Sequence, residues 1–442
     1  MLRPIRMANA VVVLDNGAHT AKVGLANQDE PQVVPNCIMK AKSERRRAFV
    51  GNQIDECRDT SALYYILAFQ RGYLLNWHTQ KTVWDYIFSK DGIGCSLENR
   101  NIVITEPQMN FQSVQEATLE MLFEEYKVDG VYKTTAADLA AFNYVADSEE
   151  RTTMESLNCI IIDVGYSFTH IVPFVLGRRV LEGIRRIDMG GKALTNHLKE
   201  LISYRHLNVM DESHVVNQIK EDVCFVAEDF KQAMQVHYSE EKRREITVDY
   251  VLPDFTTVKR GYVRVPGKPR EDEEQQQMVS LCNERFTVPE LLFNPSDIGV
   301  QQVGIPEAVA DCLKACPWEA HRDLLLNILI VGGSAQFPGF LPRLKHDLRA
   351  LVPDDLEVSL ICPEDPLRYA WYGGREVATS PNFDEFVYTQ DDYEEYGFLG
   401  INQRCVFQNI PCLYIELGLK RTNCQPVARK RVRHLPSATT KI

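Results

Sequence analysis

Ile160-Ile161-Ile162-Asp163-Val164-Gly165 decides the fold, because Val11-Val12-Val13-Leu14-Asp15-Asn16-Gly17 has already set out the same pattern near the start of the chain. In each, an apolar β-branched run reads as a buried strand, and an Asp-x-Gly closes it. An Asp in that place can reach a Mg²⁺ through water. The Gly two residues on permits a tight turn that aims backbone N–H groups at phosphate oxygens. One such triplet is usually only a turn, since Asp and Gly favour turns for conformational reasons alone. Two copies, each ending an apolar strand and about one domain length apart, read as the halves of a nucleotide-phosphate clamp.

Working outward, the first strand has a hairpin partner in Ala21-Lys22-Val23-Gly24-Leu25-Ala26, and Asn101-Ile102-Val103-Ile104-Thr105 is another buried strand. A helix is expected over Gln80–Phe88, with Val83, Trp84 and Ile87 on one face. Ser113-Val-Gln-Glu116 has the form of a capping box opening a helix that runs to about Tyr126. Helices are also expected over Leu194–Tyr204 and Ser213–Met234. A third buried strand, Leu325–Val331, meets Gly332-Gly333-Ser334, a turn that lets backbone approach a flat ligand and is followed by Phe337-Pro338-Gly339-Phe340 and a helix. Strands alternating with helices give an α/β architecture. The three turns together outline an adenosine and phosphate pocket between two domains.

Composition sets the limits. The chain has 442 residues, 45% hydrophobic and 25% charged, which is ordinary globular material with room for two or three domains. No apolar run approaches the roughly 18 residues of a membrane span, and the run after Met1–Met7 is too short for a secretory signal. Translation from Met1 or from Met7 is left open. The 12 cysteines lack CxxC pairs or zinc-finger spacing, which fits reduced thiols in cytosol or nucleus. Cys312 and Cys316, one helical turn apart, read as core. A net charge of −12 argues against a dedicated nucleic-acid binder, so any DNA contact is a local patch.

The chain resembles actin over residues 10 to 407. The likeness rests on Leu14-Asp15-Asn16-Gly17, Leu75-Asn76-Trp77, Ile104-Thr105-Glu106-Pro107, Ile162-Asp163-Val164-Gly165 with Thr169-His170, and Lys220-Glu221-Asp222-Val223-Cys224. It continues through Asn283-Glu284-Arg285-Phe286, Gly332-Gly333, Trp371-Tyr372-Gly373-Gly374 and Asp391-Asp392-Tyr393. Gly51–Glu56, Gly165–His170 and Phe293-Asn294-Pro295-Ser296-Asp297-Ile298-Gly299 look most like the nuclear actin-related protein 6 class. The resemblance implies a duplicated ATPase-domain fold with two lobes around a central nucleotide cleft. It divides the chain into an extension (1–9), a first lobe (10–153 plus 373–407), a second lobe (154–372, with a solvated insertion at about 259–277) and a basic tail (408–442). It also implies ATP or ADP with Mg²⁺ as cofactor. Asp15, Asn16, Gly17, Lys22, Asp163 and Gly165 would face phosphate and metal, and Lys220, Glu221, Gly332 and Gly333 the adenosine. No direct metal ligand and no catalytic residue is assigned.

The departures from actin bear on function. Ala18 and His19 stand where actin has a small hydroxyl residue and a second glycine, and Tyr166 and Ser167 stand in the places of Asp and Gly. Actin positions its attacking water with a glutamine on the helix linking its domains. The corresponding stretch, Thr134–Val145, has none, and Asn143 is the nearest amide there. Losing one preorganised group of this kind typically costs about 10²–10³ in rate, so hydrolysis is expected to be weak or absent. His170 matches an actin histidine near the attacking water, and with Tyr166 and Phe168 beside it reads equally as structural. Asn217 holds an arginine place, and the adenine-flanking lysine falls on Leu367 or Arg368.

Filaments are not expected. The Pro35–Tyr64 stretch leaves little room for actin's mobile loop, and Asp297 puts a carboxylate where an apolar plug belongs. The class implies a scaffold subunit of a SWR/SRCAP-type chromatin-remodelling complex that exchanges variant histone, nuclear and in part cytoplasmic. Its implied partners are the remodelling ATPase, a zinc-HIT subunit, a YL-type histone-binding subunit, RuvB-like proteins and heterochromatin protein. The rival readings are a nucleotide-hydrolysing actin-fold ATPase and a cytoskeletal actin relative. Lys40, Lys42, Arg45, Arg46 and Arg47 form a basic cluster, as do Lys242–Arg244 and Arg429–Arg433. Such clusters are mostly solvated faces, with phosphate contact on nucleosomal DNA the minority reading for the first.

Overall fold

The computed structural model describes residues 11–407 apart from 43, 45–46, 58, 61–62, 148–152, 236–238, 257 and 266–275, with backbone alone for 242 and 399–407. The extension, the tail with its basic cluster, and Arg45 and Arg46 lie outside the described residues.

Two six-stranded sheets carry the two copies of the signature. In the first, Val12–Asn16 pairs antiparallel with Thr20–Leu25, and that strand with Gln32–Pro35. On its other side Val12–Asn16 runs parallel to Asn101–Glu106, beyond which come Gly130–Thr135 and the edge strand Tyr388–Thr389. In the second sheet, Cys159–Val164 pairs antiparallel with Thr169–Val175 and parallel with Ile328–Val331, then Leu360–Ile361. Each copy is thus a hairpin with a parallel neighbour, which buries its central strand on both edges and explains the unbroken Val/Ile runs. The register sets Asp15 opposite Lys22 and Asp163 opposite His170.

Helices Ala136–Asp147 and Tyr369–Thr379 join the two halves. A Cβ on Gly373 would lie 1.8 Å from the Leu139 carbonyl oxygen, so the helices meet backbone to backbone and only glycine fits. Trp371 is fully buried beside this crossing, and its Nε1–H donates to the Val13 carbonyl at 3.1 Å. Val13 and Val103 from one sheet share a core with Ile161 and Leu329 from the other. The C-terminal ends of both central strands therefore open onto one cleft.

Several sequence expectations are corrected. The first helix begins at Trp77, three residues earlier than Gln80, because Asn76 Oδ1 accepts from Thr79 N–H at 3.1 Å and caps it. Ser113 does not cap its helix; the helix spans Gln112–Glu120 after Phe111, with no side-chain cap, and continues as the wider turn Met121–Glu125. The reciprocal cap lies instead between Thr135 and Asp138: Thr135 N–H donates to Asp138 Oδ2 and Asp138 N–H to Thr135 Oγ1. Ser213–Met234 is two helices, Ser213–Val223 and Phe230–Met234, since Phe225 and Val226 N–H donate to the distant carbonyls of Arg285 and Pro338. Leu325 belongs to the helix His321–Leu326, and the strand starts at Ile328. Inside the expected 259–277 insertion, Tyr262–Val263 pairs with Tyr250–Val251.

Among the described residues no helix is long and apolar enough to cross a membrane. The nine described cysteines are free thiols, Cys312 and Cys316 both buried.

Candidate functional site

The first turn is built from four separate stretches of chain. Asp15 accepts from Thr105 Oγ1 at 2.8 Å and pairs with Lys22 Nζ at 3.3 Å. Asn16 N–H donates to Thr105 Oγ1. Asn36, wholly buried, donates from Nδ2 to Asn16 Oδ1 and the Gly17 carbonyl, both at 2.9 Å, and its own N–H donates to the His19 carbonyl. Gln80 Nε2 in turn donates to Asn36 Oδ1 at 3.1 Å. A buried amide satisfied on both sides holds a turn in one conformation.

The second turn closes through Gly165 N–H to the Phe168 carbonyl at 3.0 Å. Burial, and then the like charge of Asp15, push Asp163 up to about 6, with Lys22 opposing. Gly332, at φ +96°, lays the third turn against it, and its N–H donates to the Pro366 carbonyl. Lys220 is buried and donates to the Gly191 carbonyl (3.3 Å), Thr195 Oγ1 (3.1 Å) and Asn217 Oδ1 (2.8 Å). Burial holds its ammonium below the usual lysine range. Asn217 Nδ2 donates on to Glu221.

All ten residues expected to face nucleotide line one cleft of about 470 Å³, walled by both sheets. Leu367 lines it, whereas Arg368 pairs outside with Glu30 and Asp365. Asn143, expected as the nearest amide, does not line the cleft; it donates to Asp147 on the far face of its helix. Two glutamines line the cleft, Gln336 after the third turn and Gln108 from the Pro107-Gln108 turn, the latter with Nε2 donating to Thr135 Oγ1 at 2.8 Å. Sequence reasoning missed Gln108, which lines the cleft, and Asn36 and Gln80, which brace the first turn from behind, because the partners of each are distant in the chain. In the first basic cluster Lys42 lies 3.7 Å from Asp211, Arg47 pairs with Glu56, and Lys40 is exposed.

His170 is 7% exposed, and its Nε2 has no hydrogen-bond partner. Burial, and then the Arg186 charge, lower it to about 4, with Asp188 opposing. A histidine kept neutral in this way contributes full stability above its ordinary 6.5 and loses it as pH falls from 6.5 towards 4. The loss attributable to His170 reaches about 2 kcal/mol by about pH 5. His170→Gln cannot ionise, so between about pH 7.5 and about pH 5 its stability relative to the parent's, read from urea midpoints, should rise by about 2 kcal/mol. Asp163 runs the opposite way, but it is common to both proteins and cancels in the difference.

The cleft fits a nucleotide unevenly. At the Gly332-Gly333 end a Cβ on Gly333 would meet only Leu367 at 3.5 Å, which leaves room for a flat base. Asp15 and Asp163 face one another, and among the described residues no group of three or more metal-binding side chains assembles, so an ion here would be held through water. The phosphate end does not fit. Ala18 offers no hydroxyl, and the His19 ring stacks on Tyr166 across the cleft, centroids 4.5 Å apart and planes 24° apart.

The family model for actin matches residues 7–406. The chain belongs to the actin family. It is similar to actin-related protein 6 of Drosophila melanogaster, 97% identical over 398 residues, which is 90% of this chain and 100% of that protein. The rice actin-related protein 6 (Oryza sativa subsp. indica) is 33% identical over 426 residues, 90% of this chain and 98% of its own. That of Dictyostelium discoideum is 30% identical over 462 residues, 90% and 94%. Likeness across animals, plants and amoebae places it in the actin-related protein 6 class. Actin-family folds generally bind ATP or ADP with Mg²⁺, and the phosphate end is where this member departs.

Proposed function

We propose that this chain is a non-filament actin-related scaffold subunit of a SWR/SRCAP-type chromatin-remodelling complex that exchanges variant histone into nucleosomes. It works in the nucleus, in part also in the cytoplasm, without turning over ATP. Its neighbours are a remodelling ATPase, a zinc-HIT subunit, a YL-type histone-binding subunit and RuvB-like proteins, with links to heterochromatin protein. The observation that carries the reading is an intact actin core whose cleft has lost its phosphate-facing hydroxyl and carries a His–Tyr stack at the phosphate end. A family body kept whole while its hydrolytic parts are replaced is of use as a shape for partners to grip.

Tagged purification from nuclear extract, with mass spectrometry of the companions, tests it. The expected result is a remodelling ATPase with RuvB-like and zinc-HIT subunits in fixed ratio. Recovery of actin-binding proteins, or of the chain alone, overturns it. An active ATPase is the second reading, favoured by Gln108 in the cleft. Single-turnover phosphate release abolished by Gln108→Ala would replace the scaffold with an engine.

A further inference from the structure

The His19–Tyr166 stack joins the two halves of the molecule at the point where the Asp-x-Gly turns face one another. His19 follows the first turn, held by Asn36 N–H on its carbonyl. Tyr166 follows the second, with its carbonyl accepting from Lys192 N–H at 2.9 Å and its ring against Gly191, where a Cβ would lie 3.6 Å from Tyr166 Cδ2. Neither ring belongs to a single-lobe core, so their contact is a bridge across the cleft. The bases that a triphosphate would neutralise are already matched within the protein. Lys22 is paired with Asp15, and Lys220 has three protein acceptors. Desolvation by the cleft walls, and then the charges of Lys220 and Lys22, hold the His19 imidazole below its ordinary range, so it is neutral near pH 7 and offers phosphate no charge. His19 is exposed to the open cleft, so water reaches the face of the ring that Tyr166 does not cover.

We infer that this stack closes the phosphate end of the cleft from within, so that the free protein holds its two halves together without nucleotide and excludes Mg-nucleoside triphosphate. Three elements act together. The His19 Cβ and ring stand where chain and phosphate must approach closely. Tyr166 fills the opposite wall. Drawing Lys22 towards a phosphate would leave Asp15 and Asp163 facing each other with less compensation. What is left of the cleft, between Gly333, Leu367 and Lys220, has room for a planar base, whereas at the other end the His19 and Tyr166 rings meet across the space between the two turns.

The experiment uses the full chain and Mg-ATP itself. Protein purified without added nucleotide is denatured and its released nucleotide measured, and thermal midpoints are read with and without about 1 mM Mg-ATP. The expected result is substoichiometric nucleotide and an unmoved midpoint. The double variant H19G/Y166D, which opens the bridge and restores a carboxylate, is expected to bind Mg-ATP at least about tenfold more tightly and to gain a nucleotide-dependent rise of about 3 °C. H19F keeps an aromatic stack and is expected to behave as the parent, which separates loss of the bridge from loss of the imidazole. If the double variant does not fold, H19G alone carries the test, with the same direction of change. Stoichiometric nucleotide in the parent overturns the inference. So does a parent midpoint that rises as much as the variant's, or a folded open variant that binds no better. Each of these outcomes leaves the co-purification test of the scaffold reading unaffected.

Discussion

Replacing Arg343 with Ala is expected to lower the stability of the chain by about 3–5 kcal/mol, because it strands a buried carboxylate. Glu290 is 1% exposed and Arg343 7%. The guanidinium grips both oxygens of that carboxylate, Nη1 to Oε2 and Nη2 to Oε1, each at 2.8 Å. It also donates to the Ala227 carbonyl at 2.9 Å and to Asp347 Oδ2 at 2.6 Å, and it lies 4.8 Å from the centre of the Phe293 ring. With Arg343 removed, Glu290 keeps only the amide of Asn294. The pair as such adds little over well-packed apolar side chains. A double change, Arg343→Met with Glu290→Leu, is therefore expected to recover most of the loss. Urea unfolding of the parent, the single and the double variant measures both quantities. A single variant within about 1 kcal/mol of the parent would mean that Glu290 protonates or finds water.

The long-range plan of the fold was legible because it rests on a pattern that repeats. Each Asp-x-Gly closes a strand buried on both edges, and burial on both edges demands an unbroken apolar run. Where the expectations failed, a tertiary contact displaced a local preference. Ser213–Met234 carries helical periodicity throughout, but backbone donors at Phe225 and Val226 are claimed by Arg285 and Pro338, and the helix breaks there. Ser113-Val-Gln-Glu116 has the letters of a capping box, yet the chain is already helical from Gln112, so the serine lies inside the first turn. Thr135-Ala-Ala-Asp138, a hydroxyl and an acid at the same spacing, does form the cap, because the end of a strand delivers Thr135 in an extended conformation.

The site was legible to the same depth. The seven residues of the three turns, Lys22 on the strand paired with the first of them, and the Lys220-Glu221 pair on its helix all meet in one cleft, since these elements fix where their side chains go. Residues that only support those turns left no local signal. Asn36 is an asparagine just after an edge strand, and nothing near it in sequence announces that its amide spans Asn16, Gly17 and Gln80. Gln108 has no local signal either, while Asn143, the nearest amide in the stretch that corresponds to actin's linking helix, faces away. The substitutions at Ala18, His19 and Tyr166 were visible as losses. That two of them combine into a contact could be seen only in three dimensions.

Gly332→Ala is expected to cost about 2–6 kcal/mol, the sum of backbone strain and forced contact. At φ +96° and ψ 156° the residue occupies backbone space that essentially only glycine uses. A Cβ there would lie 2.5 Å from the Val164 carbonyl oxygen and 2.9 Å from Asp163 Oδ1. The first of these neighbours is backbone within a hydrogen-bonded strand and cannot rotate aside, so either the third turn or the end of the second central strand must move. Gly333 supplies the internal control. Its φ is ordinary, and a Cβ meets only the flexible Leu367 side chain at 3.5 Å. Gly333→Ala is accordingly expected to be neutral, or to stabilise by up to about 1 kcal/mol through the unfolded chain. The pair separates a requirement for close approach from a general preference for small residues at the turn. Equal midpoints for the two variants in urea would show that the turn yields, and that the second Asp-x-Gly is not held in place by the strand that follows it into the cleft.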